Sequence, residues 1–288
     1  MKGIKSVCTI ALLTLMVSAG GAATVMDVDF EDTDYVLDAN LPTGSVLTDG
    51  TQWKVGWDFV EGEEPTENYL DYADVKIKAP NAGTPTNWGD KCLDYLLILN
   101  TAPKGVKVAE VAQLASGLDT CTIQFDICIV AVPTGNVNIK YRTKTTDFTY
   151  SPVSDAVSTL QFQKNGGDIL FKGEDASGVG ASFTVTGVPA QTAGQTYRTV
   201  FTFDKPGGSV INIKFLDPSD DSVLYDSTSE ATTMYSSDKN DPGPVPGLDR
   251  NIKGVSFQIT KAAEGHLQID NIIVSDTIDT AEEYWRLY

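Results

Sequence analysis

The sequence predicts an all-β protein, a two-sheet antiparallel sandwich or a barrel, on three observations. Apolar and polar residues alternate with a period of two through many short segments. Turn residues punctuate those segments, and helical periodicity is nearly absent. In an antiparallel strand packed on one face, every second side chain meets the core and the others meet water, which produces this alternation.

At the N-terminus, Lys2 and Lys5 precede an apolar run from Val7 to Val17, followed by small residues from Ser18 to Ala23. These are the parts of a secretory signal peptide, expected over residues 1–23 with cleavage near Ala22 or Ala23. The run is shorter than the roughly 20 residues that cross a bilayer. Cys8 stands at its front rather than behind it, where a lipid-modified cysteine would lie. The mature chain is therefore expected to be secreted, extracellular or at the cell surface, with no membrane insertion after signal cleavage.

One domain is expected over residues 24–276. Its first segment, Val25 to Asp32, alternates Met26, Val28 and Phe30 with acids; in the next, Trp53, Val55, Trp57 and Phe59 alternate with polar residues and glycine. Further strands are expected over 93–99, 122–129, 137–142, 159–163, 168–172, 182–188, 197–203, 210–215, 223–225, 254–260 and 265–274. Between them lie turn signals such as Asp49-Gly50, Pro133-Thr134-Gly135-Asn136 and Asn165-Gly166-Gly167. Val106 to Leu118 reads as a short helix, residues 277–288 as a short C-terminal helical tail, and Asp217 to Asp249 mostly as a long surface loop.

The formal charge of −18 argues against nucleic acid, which needs clustered lysine and arginine, and against an anionic membrane surface. It suits a soluble extracellular protein that meets neutral glycans or divalent cations. Cys92, Cys121 and Cys128 survive cleavage. Cys121 and Cys128 share one expected strand, about 23 Å apart, and cannot bond each other. Cys92 with either of them, or three reduced buried thiols, are both open. His266 is the single histidine, so a multi-histidine metal site is excluded; a Ser-His-Asp triad would lack its Gly-x-Ser-x-Gly elbow. His266 is expected on the surface of the last strand.

The order of elements resembles the concanavalin A-like lectin/glucanase superfamily, including laminin G-like jelly rolls. The matching pieces are Asp29-Phe30-Glu31-Asp32, Thr122 to Ile127, Leu160-Gln161-Phe162 with Gly167 to Leu170, Tyr197 to Val200 with Phe203-Asp204, and Ile269 to Val274. The resemblance implies a two-sheet antiparallel jelly-roll β-sandwich with few short helices, in a secreted protein of bacterial type.

Two chemistries are weighed for the acids. Asp27, Asp29 and Glu31 sit at i, i+2 and i+4, on one face of a regular strand. The glucanase branch carries such a cluster, and a retaining pair stands about 5 to 5.5 Å apart, but the family's Glu-first order is missing here and its catalytic strand lies well inside the domain. Many secreted jelly rolls hold a structural Ca2+ where the first and last strands meet. The resemblance implies Glu31, Asp32 and Asp270 as its ligands, with Asp29 or Asn271 assisting. A solvated acidic edge strand that discourages edge pairing is the other reading.

For sugar binding, aromatic rings offer flat faces while neighbouring Asp and Asn bond hydroxyls. Trp88, flanked by Asn87 and Asp90, reads as a loop-borne platform, with Tyr69 and Tyr72 as further candidates. Trp53 and Trp57 read as core. The expected function is a non-catalytic carbohydrate-binding protein, lectin-like and calcium-stabilised, whose partner is an extracellular glycan or polysaccharide. The alternatives are a glycoside hydrolase or polysaccharide lyase of the same superfamily, or a structural adhesion protein.

Overall fold

A computed structural model describes residues 24–60, 73–85, 87–97, 107–142, 149–150, 156–175, 177, 179–205, 210–229, 233–234, 251–260 and 264–276. Two stacked sheets form a β-sandwich, as the alternation predicts. The first sheet is built from β1 (Thr24–Val28), β3 (Ala73–Lys78), β4 (Cys92–Leu97), β6 (Thr120–Ala131), β12 (Gln195–Asp204), β13 (Val210–Leu216), β14 (Val223–Asp226) and β16 (Gly265–Ser275), in the order β14-β13-β12-β6-β16-β4-β3 with β1 also on β16. The second contains β2 (Gln52–Val60), β5 (Lys107–Leu118), β7 (Val137–Arg142), β8 (Thr149–Tyr150), β9 (Ala156–Phe162), β10 (Ile169–Glu174), β11 (Gly180–Val185) and β15 (Ile252–Thr260), in the order β11-β10-β9-β7-β15-β5-β2-β8. Every pair is antiparallel except β2 with β8.

The core lies between the sheets and is made by the apolar phase of each strand. Ile123, Phe125, Ile127 and Ile129 of β6 are fully buried. Aromatic pairs cross the interface: Phe125 meets Phe257 edge-on at 5.3 Å, and Tyr141 stacks on Phe201 at 3.6 Å between ring centroids. Such pairs contribute about 0.5 to 1.5 kcal/mol each beyond their area.

One expectation changes. The segment read as a helix from Val106 to Leu118 is strand β5, paired with β2 and β15. Its alanines and glutamate favour a helix locally, but Ala112 lies between Trp53 and Val255 on neighbouring strands, and its small side chain leaves room for the fully buried indole. Within the stretch from Asp217 read mostly as a loop, the strand expected over 223–225 is β14, whose Tyr225 packs edge-on against Phe215. Residues 1–23 and 277–288, the signal-peptide and tail expectations, lie outside the described residues.

All three described cysteines are free and buried. Cys121 faces the core, while Cys92 and Cys128 pack with Trp88 on the opposite side of the first sheet. β16 runs between the strands bearing Cys92 and Cys128, so a bridge would span two strand spacings, about 9.6 Å. A disulfide needs its Cα atoms within about 7 Å.

Candidate functional site

Along one edge of β16, β4 covers residues 265–269 and β1 covers 272–275. The hand-over falls at Asp270 and Asn271, where the pairing with β6 shifts register and Asn271 takes a φ of 53°. The expected meeting of first and last described strands is therefore present, and it sits beside an open groove on the outer face of the first sheet.

That groove has a volume of about 1090 Å3. Its floor is ordered by strand register: Lys214, Val200, Gln124, Ile273 and Asp27 stand opposite one another on β13, β12, β6, β16 and β1, forming one rung. Thr202, Thr122 and Ser275 form the next rung. Polar and apolar side chains thus alternate across the first rung, and the second is lined by hydroxyls.

A buried charge network lies under one end. Arg198 donates from Nε and Nη2 to the two carboxylate oxygens of Asp126, each at 2.8 Å, and from Nη1 to Asp221. Trp88 Nε1 and Asn271 Nδ2 also donate to Asp126 Oδ2, at 3.0 and 3.1 Å. Burial works against the guanidinium's charge, but the two carboxylates more than offset it and hold its pKa above the usual arginine range. Asp270, fully buried and opposite Asp126, has no such cation. Its Oδ1 accepts from the Asn271 backbone N–H at 2.8 Å, while Oδ2 is buried without a partner. Burial, with the charges of Asp126, Asp29 and Glu31, pushes its pKa up to about 8.

Trp88 is 5% exposed, with its ring against Cys92 and Cys128, so the exposed platform expected of it is corrected. The polar neighbours that suggest a surface ring are exposed, while the indole turns inward to reach Asp126. Asn87 lines the groove, whereas Asp90 is exposed and is not among the residues that line it. Tyr69 and Tyr72 lie outside the described residues. His266 is half-buried at the sheet face, its Nε2 2.7 Å from Asp94 Oδ1.

The three acids expected on one strand face are also rearranged. β1 ends at Val28, and Phe30 turns the chain with a φ of 60° while its ring stays buried against Tyr35 and Trp53. Only Asp27 is on the strand, although Asp27, Asp29 and Glu31 all still line the groove. Asp27 has its pKa raised by partial burial and by Asp29, Asp49 and Asp32.

The implied calcium ligands each have a separate engagement. Asp29 Oδ1 accepts from the Glu31 N–H, Glu31 Oε1 from the Lys91 N–H at 2.8 Å, and Asp32 Oδ2 from Thr48 Oγ1. Among the described residues, no group of three or more His, Cys, Asp or Glu side chains is placed to hold a metal ion. Sequence reading missed Asp126, Arg198 and Lys91; their only signal is a charge in the polar phase of, or just before, a strongly apolar strand.

No protein-family model matches the chain, and no curated protein matches it. Among solved structures, it is similar to an endo-β-1,4-glucuronan lyase from the fungus Trichoderma reesei, at 12% identity and a TM-score of 0.43 over 76% of this chain and 94% of that one. It is also similar to the Emp47p carbohydrate recognition domain, at 11% identity and a TM-score of 0.41 over 90% and 99%. A putative sugar binding protein from Bacteroides thetaiotaomicron gives 10% identity and a TM-score of 0.39 over 88% and 99%. At these scores the functional reading rests on the groove itself.

Proposed function

We propose that the protein is a secreted, non-catalytic carbohydrate-binding β-sandwich whose extracellular glycan lies across the groove on the first sheet. The observation that carries this is the rung Lys214, Val200, Gln124, Ile273 and Asp27, in which hydrogen-bonding and apolar side chains alternate on five paired strands. A sugar presents the same mixture, hydroxyls around a ring and C–H groups on its faces. A floor built on paired strands holds its side chains without a large ordering cost on binding. The acidic surface favours a neutral glycan over a uronate. Arg198, which would otherwise neutralise a uronate, already has Asp126 and Asp221 as partners. Among the described residues no helix is long and apolar enough to cross a membrane.

The test is a glycan array on the mature protein, followed by titration calorimetry of any retained glycan against Thr202→Val and Gln124→Leu. Each variant removes hydrogen-bonding atoms while keeping much of the side-chain shape, so each is expected to weaken binding up to about tenfold, the equivalent of one neutral hydrogen bond. Affinity unchanged in both variants, or no glycan retained above background, would reject the groove as the site. Release of reducing ends from a retained glycan would reassign the protein to the enzymes, to the lyases if an unsaturated uronate absorbing in the ultraviolet appears with them and to the hydrolases if it does not.

A further inference from the structure

The gap between the end of β1 and the start of β4 is closed by a single side chain. Lys91, immediately before β4, donates from Nζ to three backbone carbonyls of the loop that follows β1: Glu31 at 2.9 Å, Asp32 at 3.1 Å and Tyr35 at 3.0 Å. Its backbone N–H is bonded to the carboxylate of the same Glu31. An ammonium has three donors, and all three are used. The loop is anchored from the core side. Tyr35 donates its hydroxyl to Asp49 and accepts from Trp53 Nε1, while Phe30 packs on both rings. Gly89 closes the arrangement, since a Cβ there would collide with the Glu31 carboxylate.

Three carbonyl oxygens gathered on one positive charge, with the Glu31 carboxylate held next to it on the Lys91 backbone N–H, are oxygen donors of the kind that a hard cation such as calcium takes. Here the charge is covalently attached. We infer that Lys91 Nζ is the resident cation of the β1–β4 junction, filling the place of a metal ion, and that its removal turns the same loop into a calcium site. The carbonyls cannot serve both cations at once, so the native protein takes no calcium there. This inference does not depend on what the groove binds.

The experiment compares the mature protein with Lys91→Ala and Lys91→Met, each melted in millimolar calcium and in chelator, with terbium luminescence on the folded proteins as a direct reading of metal binding. The native protein is expected to melt identically in both conditions and to give no terbium signal. Both variants are expected to melt lower in chelator, to recover part of that loss in calcium, and to lose the recovery when Glu31→Gln is added. A native protein whose melting temperature rises with calcium and falls with chelator in a Glu31-dependent way overturns the inference. So do two variants that show no calcium response and no terbium signal. If neither variant folds, the native protein's response to calcium and terbium still decides, because a metal bound beside an intact Lys91 contradicts it directly.

Discussion

Asp126 and Asp270 face each other across the β6–β16 pair, both fully buried, and only Asp126 has an arginine. Two carboxylates so close cannot both ionise cheaply in a site with one cation. The structure therefore divides them: Asp126 has Arg198 as its partner, and Asp270, with no cation beside it, holds its proton to unusually high pH.

That division predicts a pH dependence. The folded pKa of Asp270 is raised from its ordinary 3.8 to about 8. The folded state thus keeps a proton that the unfolded chain has lost. Its contribution is fully present below about pH 4 and is lost as pH rises through about 8, with a slope of at most about 1.4 kcal/mol per pH unit. Asp270→Asn, neutral at every pH, is expected to flatten that part of the profile and to be the more stable protein above pH 8. Urea midpoints measured across the range read this directly.

Arg198→Met should leave the Asp126 carboxylate buried without its guanidinium. Breaking a buried pair from one side costs about 3 to 5 kcal/mol. Replacing both partners, as in Arg198→Met with Asp126→Leu, is expected to recover much of the loss, and a double-mutant cycle by denaturant unfolding measures the coupling.

For Trp88, alanine is expected to cost about 3 to 5 kcal/mol, as for any packed indole. Phenylalanine keeps most of the packing but loses the bond to Asp126, about 1.5 to 3 kcal/mol for a charged acceptor. Thermal melts of the two variants should therefore fall in that order. A surface ring would move neither.

Cys92, Cys121 and Cys128 are buried, and burial raises the thiol pKa of each. In the folded protein all three are expected to resist a thiol reagent. All three should react once denaturant is added, at rates that follow unfolding.

The strands were legible because half-buried antiparallel pairing leaves its period in the residues themselves, as at Ile123 to Ile129. β5 was not, because Ala109, Ala112 and Glu110 favour a helix until β2 and β15 supply partners on both sides. The site was legible in part. Asn87, Asp29 and Glu31 do reach the groove, but the pairing of Asp126 with Arg198 depends on the β6–β12 register, and the Lys91 contacts depend on where two distant strand ends meet. Neither relation leaves a local signal. Trp88 misled because polar neighbours report the exposure of the backbone, not the direction of the ring.

The pairing of Thr24 with Ser275 joins positions about 250 residues apart, and β16 also supplies one edge of the central strand β6. As the chain emerges in order, β6 must wait for β12 on one side and far longer for β16 on the other. Until then its edge, the run from Thr122 to Ile129, has unpaired backbone groups beside isoleucines and phenylalanine, the kind of surface on which chains join one another. Assembly is therefore slow and completed late. The passage from synthesis to closure is where this protein is most exposed to self-association.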